Sequence, residues 1–355
     1  MSEASIDLAP SDLAEAFRAR KAADPGARAR DIADALGVSE GMLTEARRGD
    51  GVDRLGLRGP DFVGLLKSLQ AAGPLMTLTR NDAVVHETTG VMEGIDSHGQ
   101  MGQVTGPIDL RLFLRHWHAG YAVAEETRSG LRHSVQVFDA SGTAVVKLYA
   151  VADTDLALWQ GAVEACVDRS DDAVTFAPAE AAAPDPDDGS IDVASLREGW
   201  LALDHSHDFH MLLRKHGVGR EQALRLAGED LAFKADTGIV GRLLEGAARH
   251  AVPIMCFAGN RGCLQIYSGP IERVAPMGPW LNVLDPTFNL HLRTDRVASA
   301  WVVIKPTRLR GRITSVELFD TDHTLICQFF GSRPPGEGER EGWRRLIDEI
   351  AGATS

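Results

Sequence analysis

Basic residues are too few in this 355-residue chain to give it the positive surface of a nucleic-acid binder. Lysine and arginine number 37 against 50 aspartates and glutamates, so the formal net charge is −13. Proteins that bind nucleic acids or anionic membrane surfaces neutralise phosphates with a basic face. The charge balance therefore argues against both kinds of partner.

Long apolar runs and paired cysteines are also missing. No run approaches the roughly 18 apolar residues that span a bilayer. The acidic start, Met1–Asp7, lacks the basic and apolar regions of a secretory signal. The four cysteines show no CxxC spacing: Cys166, Cys256, Cys263 and Cys327. We therefore expect a cytoplasmic protein without membrane insertion, whose thiols are reduced and buried.

Motifs of several enzyme classes are absent as well. The sequence contains no GxxxxGK[ST] loop, no strand-anchored GxGxxG loop and no GxSxG nucleophile motif. The glycine-rich stretch Gly259–Gly262 is instead typical of a hairpin turn. We therefore predict neither a phosphate-cradling loop nor a serine nucleophile.

What the sequence does contain is an internal repeat. Arg80–Gly90 matches Gly259–Gly269 at an offset of 179 residues. Val135–Asp139 matches Val316–Asp320 at an offset of 181. Ordered matches at a nearly constant offset indicate two homologous halves.

Length and composition agree with two domains. At about 150 residues per domain, 355 residues predict roughly two, and 44% hydrophobic with 25% charged residues is typical of globular chains. Between the halves, Asp, Pro and Ala dominate a stretch that cannot bury enough apolar surface to offset its ordering entropy. We predict an N-terminal repeat over 1–167, a linker over 168–192 and a C-terminal repeat over 193–355.

Each half begins with helical patterns. In the second half, Ser195–Glu198 is typical of a capping box and predicts an amphipathic helix up to about His216, closed by Gly217. A further helix is predicted from Arg220 to about Lys234. In the first half, helices are predicted as far as about Ala72.

Short strand-like runs separated by turn residues follow the helices. In the second half they are Ile254–Phe257, Cys263–Tyr267, Thr287–Leu292, Ala300–Lys305, Ser315–Phe319 and Leu325–Phe330. In the first half they extend from Met76 to Tyr149. Helices before strands, without alternation, predict an α+β fold: two similar halves in tandem, each a helical segment followed by a large antiparallel β-sheet.

The stretch Ala29–Leu43 has the pattern of a helix-turn-helix. Its second helix would present Glu40 and Glu45 rather than bases, and the same Gly-Val turn recurs at Gly217-Val218. We therefore interpret it as a structural hairpin shared by both halves. A DNA-binding regulator is the weaker alternative.

The densest group of metal-capable side chains lies in Asp204–His210, which contains three histidines. A zinc site would need a further ligand at a recognised spacing, and none is nearby. An axial histidine for a flat apolar cofactor fits better, with Asp204 or Asp208 accepting from the second imidazole nitrogen. Hydrogen-bonded or solvated histidines remain the alternative from these residues alone.

Basic side chains with apolar neighbours form a second group. Their positions allow either solvated charges with buried stems or an anion clamp. They are Arg111, Arg220, Arg225, Lys305 and Arg333.

With these residues in place, the chain resembles the HemS/HmuS family of bacterial cytoplasmic haem-binding proteins, also called hemin-degrading factors. The resemblance runs from about Ser11 to Ile350. Its most specific stretches are Ile108–Leu114, Arg132–Asp139, Trp200–Leu226, Phe257–Gly269 and Trp280–Leu292. The resemblance implies two similar α+β halves and haem b bound beside the helical segment of the second half.

The resemblance also implies roles for single residues. His207 aligns with the iron ligand of the family, and His205 and His210 are neighbouring alternatives. Arg111 matches the catalytic arginine that donates a hydrogen bond on the other haem face. Arg220 and Lys305 match residues near the propionates or that face, and Arg333 matches a further basic residue. If Arg220 and Lys305 form exposed ion pairs, replacing either one by alanine should weaken haem binding by at most roughly fivefold.

Two positions depart from the family pattern. Phe330 stands where family members often have a tyrosine, which removes a phenolic hydrogen bond near the haem. His210 stands where an aromatic residue is common, and it adds a second possible iron ligand beside His207.

The expected function follows from the resemblance. The protein would receive imported haem from an ABC importer and degrade it oxidatively with an external electron donor, releasing iron. The alternative is a carrier without turnover that delivers haem to a separate oxygenase. A reductase or an oxygenase would then be a partner, and the chain is expected to act as a monomer or a dimer.

Overall fold

The chain divides into two compact units. The computed structural model describes residues 9–127, 130–181, 183–334 and 336–352. Unit 1 comprises the described residues up to Arg80, Glu87–Glu180 and Asn260–Gln265, and unit 2 comprises Asn81–His86, Ala181–Gly259 and the residues from Ile266 onward. Each unit therefore includes a six-residue segment from the other half of the sequence. No described helix is both long and apolar enough to cross a membrane.

Unit 1 has helices before and after an antiparallel sheet. Its helices are α1 (Pro10–Ala23), α2 (Ala29–Leu36), α3 (Glu40–Ala46), α4 (Phe62–Gln70) and α5 (Leu156–Glu164). The strands of the first half are β1 (Val52–Leu55), β2 (Leu75–Arg80), β3 (Val84–Gly90), β4 (Glu93–His98), β5 (Met101–Thr105), β6 (Asp109–Phe113), β7 (Ala119–Thr127), β8 (Gly130–Phe138) and β9 (Ala144–Ala150). In hydrogen-bonded order β1, β7, β8, β9 and β2 follow one another, and β4, β5 and β6 form a meander.

Unit 2 repeats this arrangement. Its helices are α6 (Val193–Leu201), α7 (Phe209–His216), α8 (Arg220–Leu226), α9 (Ile239–Arg249) and α10 (Glu341–Gly352). The strands of the second half are β10 (Ala232–Ala235), β11 (Ile254–Gly259), β12 (Cys263–Gly269), β13 (Val274–Met277), β14 (Trp280–Leu284), β15 (Phe288–Arg293), β16 (Ser299–Thr307), β17 (Gly311–Phe319) and β18 (Leu325–Gly331). The order β10, β16, β17, β18, β11 matches the sheet of unit 1, and β13, β14 and β15 form a second meander.

The main sheet of unit 2 packs helices on both faces. On one face, α9 and α10 bury a core that includes Leu243 and Trp343 against β11, β16, β17 and β18. On the other face, α6, α7 and α8 bury Trp200 and Phe209 against Trp301 of β16. The candidate site lies beside this second cluster.

The predicted fold class is confirmed, and so are the six strands predicted in the second half. The long helix predicted from Ser195 to His216 is wrong, because the chain forms two helices, α6 and α7, joined at 202–208. Its predicted capping box is also wrong: Asp192 caps α6 and accepts a hydrogen bond from the Ser195 amide. The helix predicted from Arg220 ends at Leu226.

The Gly-Val turns of the two halves have the same geometry. Gly37 closes α2 with φ of 68°, and Gly217 closes α7 with φ of 59°. Both values lie in the left-handed region that glycine adopts without steric strain. The helical hairpin predicted at Ala29–Leu43 is therefore confirmed as a repeated structural element.

The segment between the halves has no helix or strand among its described residues, apart from a 3₁₀ turn at Asp188–Ser190. Its first part nevertheless packs on unit 1. Asp168 Oδ2 accepts from Arg54 Nη2 at 2.7 Å, and Phe176 lies against a buried cluster with Tyr121. The stretch from Asp168 to Phe176 is therefore held on unit 1, and the domain boundaries stay a prediction.

The predicted hairpin turn at Gly259–Gly262 is confirmed and is held by Asn260. Its Oδ1 accepts from the amides of Gly262 and Cys263 at 3.0 and 3.1 Å. Its Nδ2 donates to the carbonyls of Arg80 and Val145 at 3.0 and 2.9 Å. One side chain thus closes the turn and joins it to the end of β2 and the start of β9 within unit 1.

We expect Asn260→Ala to lower the free energy of unfolding by roughly 2–3 kcal/mol, because buried amides and carbonyls lose their partner. Urea unfolding followed by circular dichroism measures this change. Asn289→Ala is the control, since the part of the chain that the structure describes gives its side chain no hydrogen bond. Its expected change is within about 0.5 kcal/mol. Equal changes in the two variants would contradict this role of Asn260.

Candidate functional site

The three clustered histidines lie where α6 gives way to α7. The segment Ser206–Asp208 is a single 3₁₀ turn that leads directly into α7. Asp208 Oδ2 accepts from the His205 amide at 2.9 Å, which fixes the start of this turn. His207 and His210 are exposed and His205 is half-buried. His207 therefore lies in a turn before the helix, whereas His210 lies within α7 itself.

The two carboxylates predicted to orient the imidazole have other partners. Asp204 Oδ1 accepts from Arg308 Nε at 2.7 Å. Asp208 uses one oxygen on the His205 amide. His205 nevertheless lies near enough to Asp204 to lower the pKa of that carboxyl, after Arg308, and orientation of an imidazole by either carboxylate stays a prediction.

The surroundings of His210 favour its neutral form. Desolvation lowers the pKa of its imidazole, and the guanidinium groups of Arg214 and Arg220 lower it further. A neutral imidazole has the free nitrogen lone pair that iron requires. His210 therefore meets the electronic requirement of an alternative ligand.

One face of the sheet in unit 2 carries a row of polar and aromatic side chains. In the registered strands, Glu317 of β17 pairs with Gln328 of β18, and Gln328 pairs with Phe257 of β11. Ser315 likewise pairs with Phe330. Directly paired residues of antiparallel strands lie on the same face, so these side chains share one surface next to α7.

Glu317 is the centre of a buried charge cluster. Its Oε1 accepts from Lys305 Nζ at 3.0 Å and from Arg220 Nη2 at 2.9 Å, and its Oε2 accepts from Arg220 Nε at 2.7 Å. Ser315 Oγ also donates to Oε1 at 2.9 Å. We call Arg220, Lys305 and Glu317 the Glu317 cluster. Burial would raise the pKa of Glu317, but Arg220 and Lys305 outweigh it and hold that pKa well below its usual range.

Members of the Glu317 cluster differ in exposure. The side chains of Glu317 and Lys305 are 0% and 2% exposed, and that of Arg220 is 23% exposed. The assumption that Lys305 takes part in an exposed ion pair is therefore wrong, and the roughly fivefold limit on its effect on affinity loses its basis. Burial lowers the pKa of Lys305, while Glu317 raises it.

Aromatic rings enclose this cluster. Lys305 Nζ lies 4.9 Å from the ring centroid of Phe209 and 5.6 Å from that of Phe330. Arg220 lies 5.1 Å from the Phe209 ring, and Phe330 packs against Phe257 with centroids 5.2 Å apart. Because Phe209 follows His207 by two residues, the histidine turn lies directly beside this aromatic and cationic surface.

The other two predicted arginines have different settings. Arg333 follows β18, and desolvation together with nearby Arg310 lowers its pKa. Sequence reasoning missed Arg310 as a neighbour of this group. Arg111 lies on β6 of unit 1, where its guanidinium pairs with Asp109.

Glu317 was also missed by the sequence analysis, although a signal was present. In the repeat it matches Gln136, so the second half has a carboxylate where the first has a neutral amide. A buried carboxylate needs a positive partner. That change between the halves therefore pointed to a charge cluster in the second half.

Helix α3 does not have the surface of a DNA-recognition helix. Among its seven described residues only Met42 is exposed. Glu40 is buried and pairs with Arg80 and Lys147 at 2.6 and 2.5 Å. The face that would enter a groove is therefore packed inside unit 1.

The described residues also offer no ordinary metal centre. No group of three or more His, Cys, Asp or Glu in this part of the chain is arranged to hold a metal ion. The histidine turn instead offers single imidazoles next to aromatic rings and cations. This donor set fits an iron porphyrin, which needs an axial nitrogen, apolar contacts and partners for its carboxylates.

Comparisons with known proteins agree with this fit. The family model of the haemin-degrading HemS/ChuX domain matches residues 37–166 and again 217–350. The hemin transport protein HmuS of Yersinia pestis is 38% identical over 335 residues, which cover 93% of this chain and 94% of that protein. Holo-PhuS, a heme-binding protein from Pseudomonas aeruginosa, has a TM-score of 0.91 and 46% identity, covering 96% of this chain and 99% of that one. ChuS, an E. coli heme oxygenase, has a TM-score of 0.85 and 34% identity over the same shares.

Proposed function

The chain belongs to the family of haemin-degrading HemS/ChuX-domain proteins, and on that basis we propose that it binds haem b through His207. The observation that carries the proposal is the surface around the histidine turn. An exposed imidazole precedes Phe209, whose ring contacts both cations of the Glu317 cluster. One end of this surface suits the iron and the other suits carboxylate groups.

Each proposed contact has a physical reason. His207 supplies a nitrogen ligand to the iron, and His205 or His210 can replace it. The rings of Phe257 and Phe330 offer flat apolar contact to the porphyrin. Arg220 and Arg333 are permanent cations near neutral pH and suit the propionates.

We further propose that the bound haem is also the substrate. The iron supplies the redox chemistry once electrons and dioxygen are available. Arg111 is the proposed catalytic hydrogen-bond donor, because it is a charged donor already aligned by Asp109. Phe330 cannot donate a hydrogen bond, so this role rests on the arginine.

The proposed cellular setting follows from the family. The chain would act in the cytoplasm, receive haem from an ABC importer and release iron. The relatives support both transport and degradation of haem, since HmuS is a hemin transport protein and ChuS a heme oxygenase. A carrier that delivers haem to a separate oxygenase is therefore the second candidate, and a reductase is the expected partner of the first.

The test has two steps on the purified chain. Hemin titration should give a saturable one-to-one shift of the Soret band, because one axial histidine turn is present. Ascorbate is then added with catalase, which removes free peroxide that bleaches haem without the protein. Loss of the Soret band to a bile-pigment-like product supports degradation, and an unchanged band supports the carrier. Absence of any saturable shift would refute haem binding itself.

A further inference from the structure

The Glu317 cluster is a feature of the second half alone. From the strand registers and the Gly-Val turn, Arg220 matches Glu40, Lys305 matches Glu125, and Glu317 matches Gln136. The cluster carries two positive charges and one negative charge, whereas the matched positions carry two negative charges and a neutral amide. Since both halves form the same sheet, the fold does not require this cationic arrangement.

The matched residues of unit 1 have unrelated partners. Glu40 pairs with Arg80 and Lys147, and Glu125 pairs with Lys21 at 2.8 Å. Gln136 donates to Ser134 Oγ at 3.0 Å, which corresponds to the contact between Ser315 and Glu317. The sheet scaffold is thus kept while the charge on it is changed.

The geometry shows which cation of the cluster can meet a ligand. Glu317 engages Nε and Nη2 of Arg220, which leaves its Nη1 edge outside this pair. Lys305 is enclosed by Glu317, Ser315 and two rings. Only Arg220 has appreciable exposed surface, so the net positive charge reaches solvent through it.

We propose that Glu317 is a positioning residue, which orients Arg220 to bind a propionate of the porphyrin, and that Lys305 acts only through Glu317. A lone Arg220–Glu317 pair would be neutral and would attract a second carboxylate weakly. Lys305 neutralises Glu317, so Arg220 keeps its charge for the ligand. Two-point anchoring by Glu317 fixes the plane of the guanidinium, which directional carboxylate recognition requires. This inference rests on the proposed function.

The test compares hemin with haem dimethyl ester, whose propionates are masked, in the full chain. The readout is the ratio of the two dissociation constants, because loosening of the fold weakens both ligands alike. For the wild type we expect hemin to bind about tenfold tighter than the ester. Glu317→Gln, which installs the residue of the first half, should reduce the ratio to about 2.

Charge and positioning predict opposite results for this variant. Removing the carboxylate raises the net charge of the cluster from +1 to +2, so attraction alone would increase the preference for hemin. Loss of positioning decreases it. The double variant Glu317→Gln with Lys305→Met restores the +1 charge and leaves no unpaired buried lysine. The double variant replaces the single variant in the test if the single variant does not fold. We expect it to show the same low ratio of the two dissociation constants.

Glu221→Gln is the matched control. It also removes a carboxylate, here from α8, the helix that carries Arg220. Glu221 Oε1 accepts from Trp301 Nε1 at 3.0 Å, and its Oε2 contacts His323 Nδ1 at 2.7 Å, so its carboxylate pairs with these two side chains and not with the guanidinium of Arg220. Its ratio should stay within about twofold of the wild type. A wild-type ratio near 1, an unchanged or higher ratio in the Glu317 variants, or an equal fall in Glu221→Gln would overturn the inference. Failure of the wild type to bind either porphyrin would instead refute the proposed function.

Discussion

Replacing His207 by alanine is expected to abolish the wild-type Soret spectrum of the hemin complex and to weaken hemin binding about 100-fold. An axial imidazole sets the ligand field of the iron, so its loss changes the spectrum as well as the affinity. His207 is exposed at the start of α7, in a short 3₁₀ turn. Its replacement should therefore leave the fold intact, which circular dichroism checks.

The neighbouring histidines make this prediction more specific. Desolvation and the charges of Arg214 and Arg220 lower the pKa of His210, which favours its neutral form. A residual complex of His207→Ala should therefore show a shifted Soret band from ligation by His210 or His205. The triple variant of His205, His207 and His210 should lose that band too. His250→Ala, an exposed histidine at the end of α9 that pairs with Glu349, is the control. An unchanged spectrum in His207→Ala would contradict its role as ligand.

Replacing Glu40 by alanine is expected to destabilise unit 1 by roughly 3–5 kcal/mol, the largest effect on stability that we predict. Glu40 is buried between Arg80 and Lys147, whose side chains are 12% and 9% exposed. Its removal leaves two largely buried cations without their counterion. Urea unfolding at neutral pH measures the change, and Glu15→Ala on the exposed side of α1 is the control.

The same residue predicts a dependence of stability on pH. Burial would raise the pKa of Glu40, but Lys147 and Arg80 lower it from 4.5 to about 2. Because the pKa in the folded state lies below that in the unfolded state, the stabilisation is complete above pH 4.5. It is lost as the pH falls toward 2, and it amounts to about 3 kcal/mol. Glu40→Ala should therefore show a weaker loss of stability over this range than the wild type. Parallel pH profiles would contradict the assignment.

Several helix boundaries could not be derived from the sequence. The apolar pattern from Ser195 to His216 continues through the break at 202–208, because Leu203 is buried in the same cluster as Trp200 and Phe209. The periodicity of apolar residues indicates which residues face a core. It does not show that the chain turns between two helices here. Likewise β10 was included in the helix predicted from Arg220, since a four-residue strand has too few residues to establish an alternating pattern.

For the candidate site, the sequence was sufficient to identify the residues involved but not the side chains with which they pair. Arg220 and Lys305 were identified as possible anion ligands, yet both turned out to share Glu317, which is distant from each of them in sequence. The partner of Asp204 was missed for the same reason: Arg308 lies on a separate turn and pairs with it.

The sequence by itself determined the tandem repeat, the α+β class, the resemblance to the family and the cluster of three histidines. These follow from ordered residue patterns, local turn chemistry and charge balance, all of which can be read along one chain. Only the tertiary structure decided which charges are buried together, because pairing depends on strand register and on helices packed across a sheet. It left Arg220 as the exposed member of the Glu317 cluster and enclosed Lys305, since a buried carboxylate between two cations is stable only where packing excludes water.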